Sequence, residues 1–190
     1  PFRASTLGAD IVSVSSHKIQ GPKGCGAVYV DKKLHLPPVM YGGGQEKNMR
    51  SGTENVPMIL GFGAACQAAS EGLPEKLRTM ERRKQQCLQL LEEKVPQAVI
   101  LGSHQAPHVI SLAVPGVRSQ GLIGCLQEKG VYVSAGSACS RGHRSHVMEA
   151  MGFAPELIDG SIRVSTCFDT TPEEIEGFVS ALAEAVHALT

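Results

Sequence analysis

Short apolar runs, separated by glycine and proline, make up the first third of the chain. The runs from Asp10 to Val14 and from Gly26 to Val30 are rich in β-branched residues, which predicts two β-strands. The stretch LPPVMYGGGQEKNMRSGTEN follows them, and its length is typical of a functional loop. From Val56 to Ala69, small and apolar side chains with Pro57 near the start predict a buried helix that packs closely on a neighbour.

The middle of the chain changes to apolar positions at helical spacing among many charges. The stretch PEKLRTMERRKQQCLQLLEEKV therefore predicts a long, solvated helix that connects two lobes. Its apolar stripe consists of Leu77, Met80, Cys87, Leu88 and Leu91.

Beyond Pro96 the apolar runs become short again. AVILG and HVISLAV predict strands, SQGLIGCLQEKG predicts a helix, and VYVSAG and SIRVST predict two further strands. The last stretch, TPEEIEGFVSALAEAVHAL, predicts a helix that has Thr171 as its N-cap, with Glu174 completing a capping box. The second half of the chain is therefore expected to form a compact α+β unit.

Composition and charge narrow the classes of partner. The 190 residues are 42% hydrophobic, which is enough for a buried core. Lysine and arginine number 18, as do aspartate and glutamate, so no general field attracts nucleic acid or an acidic membrane surface. No apolar run reaches the roughly 18 residues of a membrane span, and the first residues lack a secretory pattern. The chain is predicted to be cytosolic.

The six cysteines show no spacing that is typical of a metal site. There is no Cys-x-x-Cys pair and no cluster of cysteine and histidine at zinc-ligand spacing, so no metal is expected. A disulfide framework is not expected either, because the chain lacks a secretory signal. Most of these thiols are predicted to pack as small hydrophobic side chains.

One lysine stands out, within the stretch SSHKIQGPKGCG from Ser15 to Gly26. A lysine at the end of a buried strand loses part of its preference for the charged state, and its amine is then able to form a Schiff base with an aldehyde cofactor. The neighbouring serine and histidine are suited to bind a phosphate. Taken alone, however, the tetrapeptide SSHK favours a solvent-exposed lysine in a turn.

Four motifs occur in a fixed order along the chain, namely SSHKIQGPKGCGAVYV, GGGQEKNMRSGTEN, SAGSACS and GSIRVST. Together they resemble the cysteine desulfurase and selenocysteine lyase branch of the class V aminotransferase-like, fold-type-I pyridoxal phosphate enzymes. The resemblance covers essentially the whole chain. It implies an α/β fold in which residues 1–72 are the remainder of the large cofactor-binding domain, residues 73–95 a connecting helix, and residues 96–190 a small C-terminal α+β domain.

The resemblance assigns cofactor-binding roles to residues of the first half. Lys18 matches the lysine that holds pyridoxal 5'-phosphate and moves the substrate α-proton, while Ser15 and His17 match residues that bind its phosphate. Thr53 matches a threonine that reaches the phosphate of the other subunit, which implies a homodimer. For the glycines from Gly42 to Gly44, a direct phosphate contact and a purely conformational role remain equally open.

The resemblance also assigns roles in the second half. Cys139 matches the nucleophilic cysteine that leaves the reaction as a persulfide, and Arg163 matches the arginine that takes the substrate carboxylate. Positive charge near Cys139 either favours its thiolate or only solvates the loop, and it comes from Arg141, His143, Arg144 and His146. The other five cysteines match no catalytic position and are expected to be packing residues.

The resemblance further implies that this chain begins after part of the family's site. The histidine that stacks on the cofactor ring and the aspartate opposite the ring nitrogen normally precede the Lys18 motif. The chain is then a truncated product or an incomplete gene, expected to bind the cofactor weakly and to be inactive alone. The two predicted N-terminal strands would lack most of their neighbours and expose their edges.

The leading hypothesis is the C-terminal portion of a pyridoxal phosphate-dependent cysteine desulfurase. Such an enzyme converts L-cysteine to L-alanine and passes the sulfur to an acceptor protein of iron–sulfur assembly or tRNA thiolation. Selenocysteine lyase is the nearest enzymatic alternative. A non-catalytic module that dimerises or docks a sulfur acceptor is a second alternative, and a thiol redox protein is disfavoured because no resolving cysteine lies near Cys139. Neither direct nucleic-acid binding nor a membrane is expected.

Overall fold

The computed structural model describes residues 3, 6–102, 105–135 and 144–190. The chain divides into two compact units, Pro1–Leu73 and Pro74–Thr190. Each unit has a sheet of its own, with two strands in the first and three in the second. Regular elements lie close to where the apolar patterns predict them.

In the first unit, strand β1 (Ile11–Ser15) pairs with strand β2 (Gly26–Val30) as an antiparallel ribbon. The register runs from Ile11 opposite Val30 to Ser15 opposite Gly26. A 3-10 turn, Ser16–Ile19, follows β1 directly, and we call it the Lys18 turn. Helix α1 (Val56–Ser70) begins with Asn55 as its N-cap, whose side chain accepts a hydrogen bond from the Met58 N–H.

Helix α1 forms where the sequence predicts it, but its predicted burial is wrong. None of its residues is buried, and Leu60 remains 68% exposed. The packing role expected of Cys66 is wrong for the same reason, because this side chain is exposed. The helix is apolar on every side, whereas the described part of the first unit offers it only a two-stranded ribbon and turns to contact.

The second unit is built on an antiparallel sheet in the order β3 (Val99–Leu101), β4 (Val109–Ala113), β5 (Ser161–Ser165). Five helices belong to the described residues of this unit, and they are α2 (Leu73–Lys94), α3 (Ser119–Glu128), α4 (His146–Ala150), α5 (Pro155–Asp159) and α6 (Pro172–Leu189). A single apolar core joins the sheet to α2, α3 and α6. Its fully buried members include Leu112, Leu122, Ile162 and Leu182, each 0% exposed.

The predicted strand VYVSAG is wrong for the residues that the structure describes. This segment makes only an isolated antiparallel bridge, in which Ser134 pairs with Arg163 of β5. The Arg163 N–H donates to the Ser134 carbonyl at 2.7 Å, and the Ser134 N–H donates to the Arg163 carbonyl at 3.2 Å. Val131 and Val133 pack against the core, which accounts for the alternation of apolar residues without a strand.

Helix α2 carries one buried charge that the apolar pattern does not predict. Lys84 is 1% exposed, and its Nζ donates a hydrogen bond to the Ala106 carbonyl at 2.6 Å. This bond ties the helix to the segment between β3 and β4.

Within the described ranges, no helix combines the length and the hydrophobicity that crossing a membrane requires.

The predicted capping box at the start of α6 is confirmed and can be tested. Thr171 Oγ1 accepts from the Glu174 N–H at 3.2 Å, and Glu174 Oε2 accepts from the Thr171 N–H at 2.9 Å. Because Thr171→Ala leaves the Glu174 N–H without this acceptor, we expect the free energy of unfolding to fall by about 1 kcal/mol. Urea denaturation followed by circular dichroism measures this loss. The matched variant Thr171→Ser keeps the hydroxyl, and an equal loss in that variant would contradict the cap.

Candidate active site

The Lys18 turn is closed at its base by two backbone hydrogen bonds. The Ser16 N–H donates to the Cys25 carbonyl, and the Gly21 N–H donates to the Ser16 carbonyl, each at 3.0 Å. Gln20 ends the turn in the left-handed region, with φ of 65°. The segment from Ser16 to Cys25 is therefore a closed loop that joins β1 to β2.

The side chains of this turn face in two directions. Ser15, His17 and Lys18 are exposed, whereas Ser16 is 0% exposed. Ser15 occupies the N-cap position but makes no capping hydrogen bond. No described residue pairs with the side chains of Ser15, His17 or Lys18. A hydroxyl, an imidazole and an amine are thus available together, and this donor set fits a phosphate and an aldehyde.

The loop of residues 40–52, which contains Gly42 to Gly44 and which we call the glycine loop, is organised around the buried polar residue Ser51. Its Oγ lies 2.9 Å from the Gly43 carbonyl oxygen and 3.1 Å from the Met40 carbonyl oxygen. A Cβ atom on Gly42 would lie only 3.0 Å from the Ser51 Cβ. Gly42 therefore permits the backbone to approach Ser51 closely. Of the two roles left open for these glycines, a phosphate contact and a conformational role, this contact favours the conformational one.

Three consecutive residues of the same loop lie in the left-handed region, although none is glycine. The φ angles of Glu46, Lys47 and Asn48 are 47°, 56° and 62°. Each such residue costs roughly 1 kcal/mol, and the structure offsets this cost with local hydrogen bonds. The Met49 N–H donates to the Glu46 carbonyl at 3.0 Å, and the Gly52 N–H donates to the Gln45 Oε1 at 3.3 Å. Of these three residue types, only asparagine commonly adopts positive φ, so the sequence does not predict three consecutive left-handed residues.

Thr53 follows this loop and is exposed. The preceding Arg50 donates from Nη1 to the Ser51 carbonyl, so its guanidinium contacts its own loop. No hydrogen bond among the described residues joins Thr53 to the Lys18 turn. The structure brings Ser15, His17 and Lys18 together, while the role of Thr53 stays a prediction.

Arg163 lies in the second unit, at the centre of β5. Its backbone pairs with Ser134, and its half-buried side chain has no hydrogen-bond or ion-pair partner among the described residues. A guanidinium held on a sheet and left unpaired offers two parallel N–H donors to a carboxylate. The geometry of this one residue thus suits a carboxylate ligand.

Cys139 lies outside the described residues, as do Arg141 and His143. Arg144 is described, and it makes a two-pronged ion pair with Asp159. The Nε–Oδ1 and Nη2–Oδ2 distances are both 2.6 Å. The hydrogen bond from Arg144 and its charge hold the pKa of the Asp159 carboxyl below its ordinary value. Because Asp159 balances the charge of Arg144, this residue is poorly suited to stabilise a thiolate.

The core cysteine of α2 is chemically distinct from an exposed thiol. Burial raises the pKa of Cys87 to about 12, so its reactive thiolate form is scarce near neutral pH.

No group of three or more histidine, cysteine, aspartate or glutamate side chains among the described residues is placed to hold a metal ion.

The chain has an α/β fold of the fold-type-I class of pyridoxal phosphate enzymes. A solved NifS-like protein superposes on the whole chain with a TM-score of 0.88 at 34% identity, and the match covers 49% of that protein. A NifS-like protein from Rickettsia africae also superposes with a TM-score of 0.88, at 30% identity, over 98% of this chain and 50% of the other. These likenesses confirm the predicted fold class.

The aminotransferase class-V family model matches residues 1–178, and the chain belongs to this family. Cysteine desulfurase IscS from Methanosarcina thermophila is 34% identical over the whole of this chain, which covers 48% of that relative. A putative cysteine desulfurase, IscS 1 from Bacillus subtilis, is 38% identical, with the whole of this chain covering 52% of it. The predicted family is confirmed, and the chain spans about half the length of the curated relatives it matches.

The Arg144–Asp159 ion pair predicts a pH-dependent stability. Since its folded-state pKa is lowered, Asp159 stabilises the fold above its unfolded-state pKa of about 3.9, and this contribution is lost as the pH falls through the folded-state value. We therefore expect Asp159→Asn to lower the melting temperature at pH 6. The difference in melting temperature from wild type should shrink as the pH falls below about 4.

Thermal denaturation from pH 2.5 to pH 7 measures this effect, with Asp169→Asn as the matched control. Asp169 is an exposed carboxylate that has no ion pair with a described residue. A pH-independent gap in Asp159→Asn, or an equal gap in Asp169→Asn, would show that the ion pair does not stabilise the fold.

Proposed function

We propose that this chain is part of a pyridoxal phosphate-dependent cysteine desulfurase and carries its cofactor lysine, its sulfur-accepting cysteine and its carboxylate-binding arginine. The observation that carries the proposal is the Lys18 turn with the preceding Ser15, because Ser15, His17 and Lys18 are exposed side by side and have no side-chain partner among the described residues. Support comes from family membership and from relatives that are named cysteine desulfurases.

In this proposal the exposed side chains of the Lys18 turn hold the cofactor. Ser15 would donate its hydroxyl and His17 a ring N–H to the phosphate, and the Lys18 amine would hold the aldehyde group. Thr53 donates to the phosphate of a second copy, so the working form is a homodimer. The bound cofactor supplies an electron sink for charge that develops on the substrate α-carbon. Lys18 then moves the proton at that carbon.

Arg163 and Cys139 act on the substrate in the same proposal. Arg163 fixes the α-carboxylate of L-cysteine with two parallel N–H donors. The Cys139 thiolate attacks the substrate sulfur, so that an S–S bond forms and the C–S bond breaks. The electron pair of the broken bond stays on carbon, which takes up a proton, and L-alanine leaves. The persulfide on Cys139 then passes its sulfur to an acceptor protein of iron–sulfur assembly or tRNA thiolation in the cytoplasm.

The role of Lys18 is tested by chemical trapping on the chain itself. Incubation with pyridoxal phosphate, then reduction with borohydride, should add one reduced pyridoxyl phosphate group to Lys18, detected by peptide mass spectrometry. The group should be absent from Lys18→Ala and present in Lys23→Ala, since Lys23 is an exposed lysine of the same loop. Labelling that spreads evenly over both lysines, or none at all, would favour a non-catalytic module.

The role of Cys139 is tested on the natural, full-length gene product. Cys139→Ser should lower sulfide release from L-cysteine at least about 1,000-fold, because the attacking thiolate is removed, while the visible absorbance of the cofactor stays unchanged. Mass spectrometry should find persulfide on Cys139 in the wild type. The exposed Cys66 provides the control variant Cys66→Ser, which should retain activity. Faster turnover of L-selenocysteine than of L-cysteine would favour selenocysteine lyase instead.

A further inference from the structure

The first unit does not bury a single hydrophobic side chain among its described residues. Only Ser16 and Ser51 are buried there, whereas the apolar core belongs to the second unit. No buried hydrophobic side chain of the described first unit therefore fixes the direction of Lys18, and we ask which closer contact holds the turn.

That contact is a set of small residues, which we call the Lys18 seat and which consists of Ser16, Gly21, Pro22, Gly61 and Ala65. A Cβ atom on Gly21 would lie 2.2 Å from the Ser16 Oγ and 3.0 Å from the Ala65 Cβ. A Cβ atom on Gly61 would lie 2.6 Å from the Pro22 Cγ. The turn and α1 thus approach more closely than any larger side chains would allow.

Two faces meet in the seat. Gly61 and Ala65 are four residues apart, so they lie on the same side of α1. Opposite them, Ser16 is fully buried, and its Oγ has no hydrogen-bond partner in the part of the chain that the structure describes. Among these residues Ser16 therefore contributes through its volume and its inward direction.

We propose that the Lys18 seat positions Lys18. With Ser16 packed inwards against Gly21 and Ala65, the three residues per turn of a 3-10 helix place His17 and Lys18 on other sides than Ser16, where they are exposed together with Ser15. The backbone hydrogen bonds from Ser16 to Cys25 and from Gly21 to Ser16 then hold the turn in this orientation. The functional meaning of this arrangement rests on the proposed role of Lys18 as the cofactor lysine, whereas the packing itself does not.

The experiment compares two glycines of α1. Gly61→Ala adds a Cβ that meets the rigid Pro22 ring, whereas Gly63→Ala adds a Cβ with nothing within 4 Å. Both changes favour the helix equally, so the control removes the effect of helix propensity. Two quantities are measured on the full chain, namely hydrogen exchange of the Ser16 and Gly21 amides and the rate of borohydride-trapped labelling of Lys18 by pyridoxal phosphate.

For Gly61→Ala we expect amide exchange to be about tenfold faster or more and labelling of Lys18 to be about tenfold slower or more, since a shift near 1 Å misplaces a reacting group. Gly63→Ala should stay within about twofold of wild type in both. Wild-type exchange and labelling in Gly61→Ala, or equal losses in the two variants, would overturn the proposal.

A second variant covers the case in which a single change prevents folding. Gly21→Ala should disturb the turn, and the pair Ser16→Gly/Gly21→Ala should partly restore amide protection, because the shortest contact of 2.2 Å is then removed. The absence of any restoration would contradict the seat. Failure of the proposed function has a different signature, in which wild type is not labelled at Lys18 while the exchange difference between Gly61→Ala and Gly63→Ala persists.

Discussion

Apolar burial is confined to the second unit in the part of the chain that the structure describes, and this constraint decides how each candidate residue is held. Around β4 and β5, fully buried side chains such as Leu112 and Ile162 fix the sheet, and Arg163 takes its place on that sheet through backbone pairs on both sides. The backbone of this arginine is thus fixed before any carboxylate binds. The second unit therefore provides rigidity by packing.

The first unit achieves local order by other means. Backbone hydrogen bonds close the Lys18 turn, and the Ser51 hydroxyl contacts the carbonyl groups of Met40 and Gly43 within the glycine loop. Next to the left-handed residues from Glu46 to Asn48, the Met49 N–H donates to the Glu46 carbonyl and the Gly52 N–H to Gln45 Oε1. Such an arrangement defines the direction of a few side chains without a hydrophobic core. It also leaves α1 with apolar surface on most of its sides.

The sequence predicts elements better than it predicts their environment. β-Branched runs give β1 and β2, and the Thr171 capping box gives the start of α6, because these signals are local. The exposure of α1 and the loss of the VYVSAG strand depend on which neighbours each segment meets, and no local pattern contains that information. The motif order identifies the family and points to Lys18. It does not reveal the inward direction of Ser16, since two neighbouring serines look alike in the sequence although only Ser16 is buried and Ser15 is exposed.

Two described residues, Cys87 and Arg144, bear on the proposed role of Cys139, which itself lies outside the described residues. Among the described cysteines, Cys87 is withdrawn from reaction because burial disfavours its thiolate. Arg144 is equally withdrawn as a source of unbalanced positive charge, because its Nε and Nη2 donate to the Asp159 carboxylate, whose negative charge balances it. If Cys139 reacts as a thiolate, we therefore expect the stabilising charge to come from a group other than Arg144. Basic residues near a cysteine in the sequence therefore stabilise its thiolate only where a carboxylate does not already balance their charge.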